Sequence, residues 1–168
     1  MKKKILILLL PLLLLILGGI YIYREQTKPI HYHAGFQIYV DGELQDFSDW
    51  KYMHTLPCNA DGKATAGELQ IDKAHLHDRI GDVVHVHTGG ALWKDLFINI
   101  QFPIDAKKIT GAYIDGKPFN DILTQPIKEY ESVLIILGDD SKKADYLKKT
   151  VTVDHIKKSE SRSENCGS

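Results

Sequence analysis

Three His-x-His pairs constrain this chain more than any other feature: His31 with His33, His75 with His77, and His85 with His87 take six of its eight histidines. Residues two apart share a face in a β-strand, whereas in a helix they do not face each other. Each pair therefore asks for a strand with a histidine face and an apolar reverse. The neighbouring residues agree. In "HYHAGFQIYV", Tyr32, Ala34, Phe36, Ile38 and Val40 alternate with His31, His33, Gly35, Gln37 and Tyr39, which is the period of a half-buried strand. In "AHLHDRIGDVVHVH", Leu76, Val84 and Val86 stand behind the histidines. A pairing slip of one residue would turn a histidine pair into the core, so the apolar pattern holds the register. A turn at Ile80-Gly81-Asp82 makes 75–77 and 85–87 antiparallel neighbours, with His77 opposite His85 and His75 opposite His87. A loop longer by two residues keeps all four on one face but shifts them along the ladder.

Turn chemistry sets the remaining order. Asp41-Gly42 and Asp115-Gly116 are hairpin signals, with "ELQDFS" as the strand returning from the first. Strands are expected at "ELQIDKAHLH", "DVVHVH" and the continuous apolar run "ESVLIILGDD", which fits a central strand. "ALWKDLFINI" reads as a short helix with Leu92, Leu96 and Phe97 on one side, entered through the Thr88-Gly89-Gly90 turn. "SKKADYLKKTV" reads as a second helix, with Ser141 as its N-cap. Trp50 and Trp93 read as core or interface aromatics. The fold class is α+β: an N-terminal transmembrane helix, then one mainly antiparallel β domain with one or two short helices.

The N-terminus carries the expectation about compartment. Three lysines precede a run from Ile5 to Tyr23 without a charged residue, about the length that crosses a bilayer core as one helix. Gly18-Gly19 is followed by bulky residues, unlike a cleavage site, so the segment reads as an uncleaved signal anchor. Tyr21 and Tyr23 would lie at the outer interface, and the lysines would stay in the cytoplasm. The domain division is then residues 1–26 as anchor, 27–155 as an extracytoplasmic domain, and 156–168 as a polar, disordered tail. This places the protein in the cell membrane as a single-pass chain whose C-terminal domain is extracytoplasmic. In that compartment Cys58 and Cys166 can form a disulfide. With 21 Lys+Arg against 22 Asp+Glu, the chain lacks the basic excess of nucleic-acid binders. It also has no glycine-rich phosphate loop.

Four or more imidazoles on one sheet face cannot all carry charge comfortably. A divalent ion resolves this by binding neutral ring nitrogens at about 2.0–2.1 Å, and imidazole suits zinc and copper among others. The expected metal ligands are His75, His77, His85 and His87, then His31 and His33. Asp78 would be a carboxylate ligand or an acceptor for an imidazole N–H, with Glu43 and Asp72 as weaker candidates for that role. "KYMHTLPC" holds Met53, His54 and Cys58, a set suited to copper. The plainer reading is a loop, with Met53 packed in the core and Cys58 in a disulfide. His155 stands alone near the tail.

Hairpins, then the helix at "LWKDLF", then "AYIDGKPF" and "VLIILGDD" give residues 83–140 an element order that resembles a β-grasp domain, a fold that hosts many functions and implies none by itself. The wider set "HYHAGFQIYVDG", "HLHD", "GDVVHVH" and "LWKDLF" resembles small membrane-anchored, extracytoplasmic proteins of uncultured prokaryotes with repeated His-x-His motifs. That resemblance implies the anchored topology and a working role for the histidines, but no reaction. The functional expectation is a membrane-anchored, extracytoplasmic binder of zinc or copper, serving metal acquisition, buffering or delivery. The alternatives are a metal-dependent enzyme with a mononuclear histidine site, and a structural or interaction domain without metal. No nucleophile or general base shows motif spacing around the histidines, so no catalytic residue is assigned.

Overall fold

The strand asked for by the first His-x-His pair is β1, Tyr32–Val40, and the rest of the domain is organised around it. The structure is a computed structural model that describes residues 16–19, 30–54, 70–102 and 104–162. β2 (Glu43–Leu44) follows through the expected hairpin, with Asp41 at φ 47° and Gly42 at φ 91°. Two successive left-handed residues match the right-handed twist of the strands they join. The elements that follow are β3 (Val83–Val86), α1 (Trp93–Asn99), β4 (Ile109–Ile114), β5 (Lys117–Pro118), β6 (Ser132–Leu137), α2 (Lys143–Leu147) and α3 (Val153–Glu160).

The sheet runs β2-β1-β6-β4-β5, and β3 pairs with the N-terminal half of β1 on the same edge as β2. β1 and β6 pair in parallel from Gly35↔Ser132 to Val40↔Leu137, while β4 is antiparallel to β6. Four of the five strand pairings among the described residues are antiparallel, in line with the expected mainly antiparallel sheet. The domain is α+β as expected, but its sheet is mixed, with a parallel pair at its centre. The cause lies in β6, every residue of which is buried. Such a strand needs cover on both faces, as strands in parallel sheets do. Val133, Ile135 and Leu137 enter the main core with Ala34, Phe36, Ile38, Val84, Val86, Trp93, Leu96 and Phe97. Leu134 and Ile136 pack on the opposite face with Tyr39 and Tyr146 of α2.

The histidine face of β1 is covered too. Val151 and Ile156 of the C-terminal segment pack with Val83, and a Cβ on Gly35 would lie 2.6 Å from Val151 Cβ. Gly35 is thus the residue that lets this segment close on the sheet. Helix α3 starts at the N-cap Thr152, whose side chain accepts from His155 N, and its Ile156 is fully buried. The helix crosses the 155/156 boundary expected between domain and tail, and residues 163–168 lie outside the described residues.

The expected transmembrane helix over 1–26 is corrected as well. Among the described residues no helix is long and apolar enough to cross a membrane. Of that segment only residues 16–19 are described, as a helical turn, and the membrane partner inferred from the helix has no support among the described residues. Tyr21, Tyr23, Cys58 and Cys166 lie outside the described residues, as does the proposed disulfide.

Other departures are local. Ser141 is not a helix N-cap: it bonds back to Asp139 through both N and Oγ, and α2 begins after Lys142 without a side-chain cap. The strand expected at "ELQIDKAHLH" is replaced by a helical turn at residues 70–71 and single bridges at His75 and Leu76. Trp93 is buried and donates through Nε1 to Glu131, whereas Trp50 is 60% exposed.

Candidate metal centre

β1 and β3 bring the first histidines together. His33 and His85 are Cα partners in the antiparallel pairing of these strands, and both are 1% exposed. On the other flank of β3, His85 exchanges both backbone hydrogen bonds with His75, at 3.0 and 2.9 Å. Three imidazoles therefore lie in a row across three adjacent chain segments. The register is His75↔His85, two residues from the pairing expected with a turn at 80–82. The chain turns earlier, at Asp78 (φ 56°) and Arg79 (φ 59°), closed by Ile80 N donating to His77 O. Gly81 sits 2.5 Å, in Cβ terms, from the backbone N of Ser48. Its backbone is thus docked on the 47–48 segment and unavailable as the reversal point. The shift by an even number keeps every histidine on the expected face.

Asn99 of α1 supports the 70–75 segment, donating through Nδ2 to Gln70 O and Ala74 O at 2.9 and 2.6 Å. Asp95 accepts from Leu92 N, Gln70 and Lys73, and these bonds hold its carboxyl below the usual range. Asp95 and Asn99, one helix turn apart, thus fix the segment that carries His75.

His85 is the hub. The ring centroids of His31, His33, His75, His77 and His87 all lie 4.3 to 5.2 Å from its own. Two groups of three have ligand atoms within 4.8 Å of one another: His31, His33 and His85, and His75, His85 and His87. A tetrahedral ion holds its nitrogens roughly 3.4 Å apart at ordinary zinc–nitrogen distances, a contraction that rotation of the imidazoles can supply. Both groups could hold a metal ion.

The hydrogen bonds orient the rings. His75 Nδ1 meets the carbonyl of Ile71 at 2.9 Å, and a carbonyl only accepts, so Nδ1 carries the proton and Nε2 a lone pair. His77 Nδ1 meets Asp78 Oδ2 at 2.5 Å, which likewise leaves its Nε2 bare, facing His85 Nδ1. An imidazole with one nitrogen on an oxygen acceptor and the other directed inward is the usual posture of a metal-bound histidine. His33 Nδ1 lies 3.8 Å from Glu160 Oε1, and the other oxygen of that carboxylate, Oε2, accepts from Tyr130 Oη at 2.9 Å. Inside the cluster, His33 Nδ1 and Nε2, His75 Nε2 and His85 Nε2 are buried without a hydrogen-bond partner among the described residues.

Burial favours the neutral rings. It is the main cause that lowers His33 to about 4, His75 to about 3 and His87 to about 4, with neighbouring histidines adding to it. His85 is lowered by the same causes. The rings are therefore held in the state that can bind a metal ion, since a protonated imidazole has no lone pair to give.

All six expected histidines meet in this cluster, and Asp78 bonds one of them. Glu43 does not: it pairs with Val40 at the far end of β1. Asp72 accepts His87 N through its backbone carbonyl at 2.9 Å and exerts a charge effect on His54. The sequence offers His54 only as part of a copper set with Met53 and Cys58, against which a plain loop is the preferred reading, and it gives no sign of Glu160. His54 N donates to Leu76 O at 2.7 Å, which sets its ring 5.1 Å from that of His75, while Met53 packs in the core. The pairing of Met53 with Leu76 brings His54 there, and nothing in its sequence position ties it to the His-x-His pairs. His155 is not isolated: its Nε2 lies 3.0 Å from Asp82 Oδ1.

In comparisons with known proteins, the chain matches no family model, no curated protein and no solved structure. What this chain can do must therefore be read from its own residues, and those form a buried histidine centre.

Proposed function

We propose that this protein binds a first-row transition-metal ion, zinc or copper, through the histidine cluster, and serves metal acquisition, buffering or delivery. One observation carries the reading. His33, His75 and His85 are buried at 1 to 2% exposure, yet each presents an Nε2 with no hydrogen-bond partner among the described residues. A buried polar atom without a partner costs about 1–3 kcal/mol, and three in one cluster call for something that accepts their lone pairs. A metal ion does so, and neutral nitrogen donors suit zinc and copper.

No general base or nucleophile is positioned against the cluster among the described residues, which favours binding over catalysis. Of the carboxylates beside it, Asp78 accepts from His77 Nδ1 and orients that ring, while Glu160 lies 3.8 Å from His33 Nδ1. An extracytoplasmic location belongs to the same proposal and rests on the sequence of residues 1–23 alone.

The test is metal titration of the untagged, metal-stripped full chain with Zn(II) and Cu(II) by calorimetry, beside a His33→Ala/His75→Ala variant. Tight stoichiometric binding that the variant loses is the expected result. Weak binding of equal strength in both proteins would leave the histidines as structural residues of the sheet.

A further inference from the structure

The two histidine triads share one member. His31 and His33 approach His85 from the β1 side of β3, and His33 is its strand partner there. His75 and His87 complete the other triad, with His75 paired to His85 on the opposite flank. We propose that the cluster is a two-ion centre in which His85 is the ligand common to both ions, His31 and His33 completing one site and His75 and His87 the other. This rests on the metal-binding reading above and adds the number of ions and the role of His85.

One ion cannot satisfy all the buried ring nitrogens. An ion held by His31, His33 and His85 leaves His75 Nε2 buried and unpartnered. An ion held by His75, His85 and His87 leaves both nitrogens of His33 in that condition. Buried polar groups in folded proteins are nearly always satisfied, and only an ion in each triad engages His33, His75 and His85 together.

The orientation of His85 points the same way. His75 and His77 each commit Nδ1 to an oxygen, of Ile71 and Asp78 respectively, and so have one nitrogen left for a metal. His85 commits neither nitrogen to oxygen. Its Nδ1 is bonded to His77 Nε2, a contact that an ion on that nitrogen displaces, and its Nε2 has no partner among the described residues. It also lies at the centre of the other rings. An imidazole has two nitrogens and one N–H proton, so binding an ion on each side requires that proton to leave for solvent as the second ion binds. No oxidant or reductant is involved.

The experiment uses the untagged full chain with Cu(II) as probe, followed by metal analysis and electron paramagnetic resonance. His31 is exposed and His87 only half-buried, so His31→Ala and His87→Ala remove one arm of each triad without opening the core. The wild type is expected to take two equivalents. Its Cu(II) signal should grow to the first equivalent and fall toward the second, as the two spins couple through the shared ring. Each variant should take one equivalent and keep a full, uncoupled signal. One equivalent in all three proteins would overturn the two-ion centre while leaving metal binding intact. Two equivalents with additive, uncoupled signals would overturn the sharing of His85. No stoichiometric binding in the wild type would remove the metal reading itself.

Discussion

His33 and His85 face each other across β1 and β3 with ring centroids 4.3 Å apart and 1% of either residue exposed. Two imidazoles so close and so dry cannot readily be charged, and the fold holds them neutral. An exposed His-x-His face would titrate near pH 6.5. Here the covering helix α3 and the paired strands exclude water from the nitrogens, which makes the cluster a cost to the metal-free protein in acid.

The first prediction follows from that cost. The folded pKa values are lowered, so below about 6.5 the unfolded chain binds protons that the fold refuses, and stability falls as pH falls. His33 and His75 stay neutral down to about 4 and about 3. Each costs about 1.4 kcal/mol per pH unit below 6.5, so the two together remove about 4 kcal/mol by pH 5. That is a large share of the roughly 5–15 kcal/mol that holds a domain together. Urea midpoints of the metal-free protein should therefore be flat from pH 8 to 7 and drop steeply between 6 and 5. A midpoint unchanged between pH 7 and 5 would show that the rings are solvated.

The second prediction concerns metal removal. A ligand that binds only the folded chain stabilises it by about 2.7 kcal/mol at a hundredfold excess over its dissociation constant. Zn(II) at pH 7.5 should raise the thermal midpoint, and a chelator should return it to the metal-free value. Mg(II) at the same concentration should do nothing, because it prefers oxygen ligands. Equal shifts from both ions would point to nonspecific charge effects at the surface.

Asp78 gives a narrower test. Its carboxylate accepts from His77 Nδ1, and its backbone is left-handed at φ 56°, a conformation Asn adopts as readily as Asp. Asp78→Asn therefore removes the charge and leaves the turn. Orienting carboxylates of this kind contribute about 10- to 100-fold in metal affinity. A loss of that size with unchanged stoichiometry is expected in competition titrations. A changed number of ions would make Asp78 a ligand instead.

The cluster was legible in the sequence because it is written in period 2. Alternation placed His33 on the outer face of β1 and His31 in line with it just before the strand, and Val84 and Val86 fixed the face of His85 and His87. The Asp41-Gly42 and Asp115-Gly116 hairpins were equally plain, since both pairs take the positive φ angles that such turns require. What the sequence could not show was cover. The histidine face reads as polar and hence solvated, and it is α3, with Ile156 its one fully buried apolar residue, that buries it. "VDHIKKSE" has the composition of a tail, and its order comes from tertiary contact. The parallel pairing of β1 with β6 was hidden for a related reason: an apolar run says that a strand is buried on both faces but not which neighbour it takes. His54 reached the cluster through a bridge between Met53 and Leu76 that no periodicity announces.

Gly35 offers a way to test that cover directly. It is held on both sides in the sheet, partnered with Ser132 of β6 and Val83 of β3, so it cannot retreat from a neighbour. A Cβ there would meet Val151 Cβ and Cγ1 at 2.6 Å and Ile156 Cδ1 at 3.3 Å. Gly35→Ala must therefore push the C-terminal segment outward, at about 1–3 kcal/mol for an overpacked site. It should also loosen α3, which brings Glu160 to His33. Val151→Ala removes Cγ1, one of the two atoms in collision, and leaves Cβ. In a double-mutant cycle the Gly35→Ala/Val151→Ala protein should recover part of the loss, giving a coupling energy within the 0.5–3 kcal/mol seen for residues in contact. Additive losses from the two changes would show that α3 does not bear on β1 at this point, and that His33 owes its burial to the strands alone.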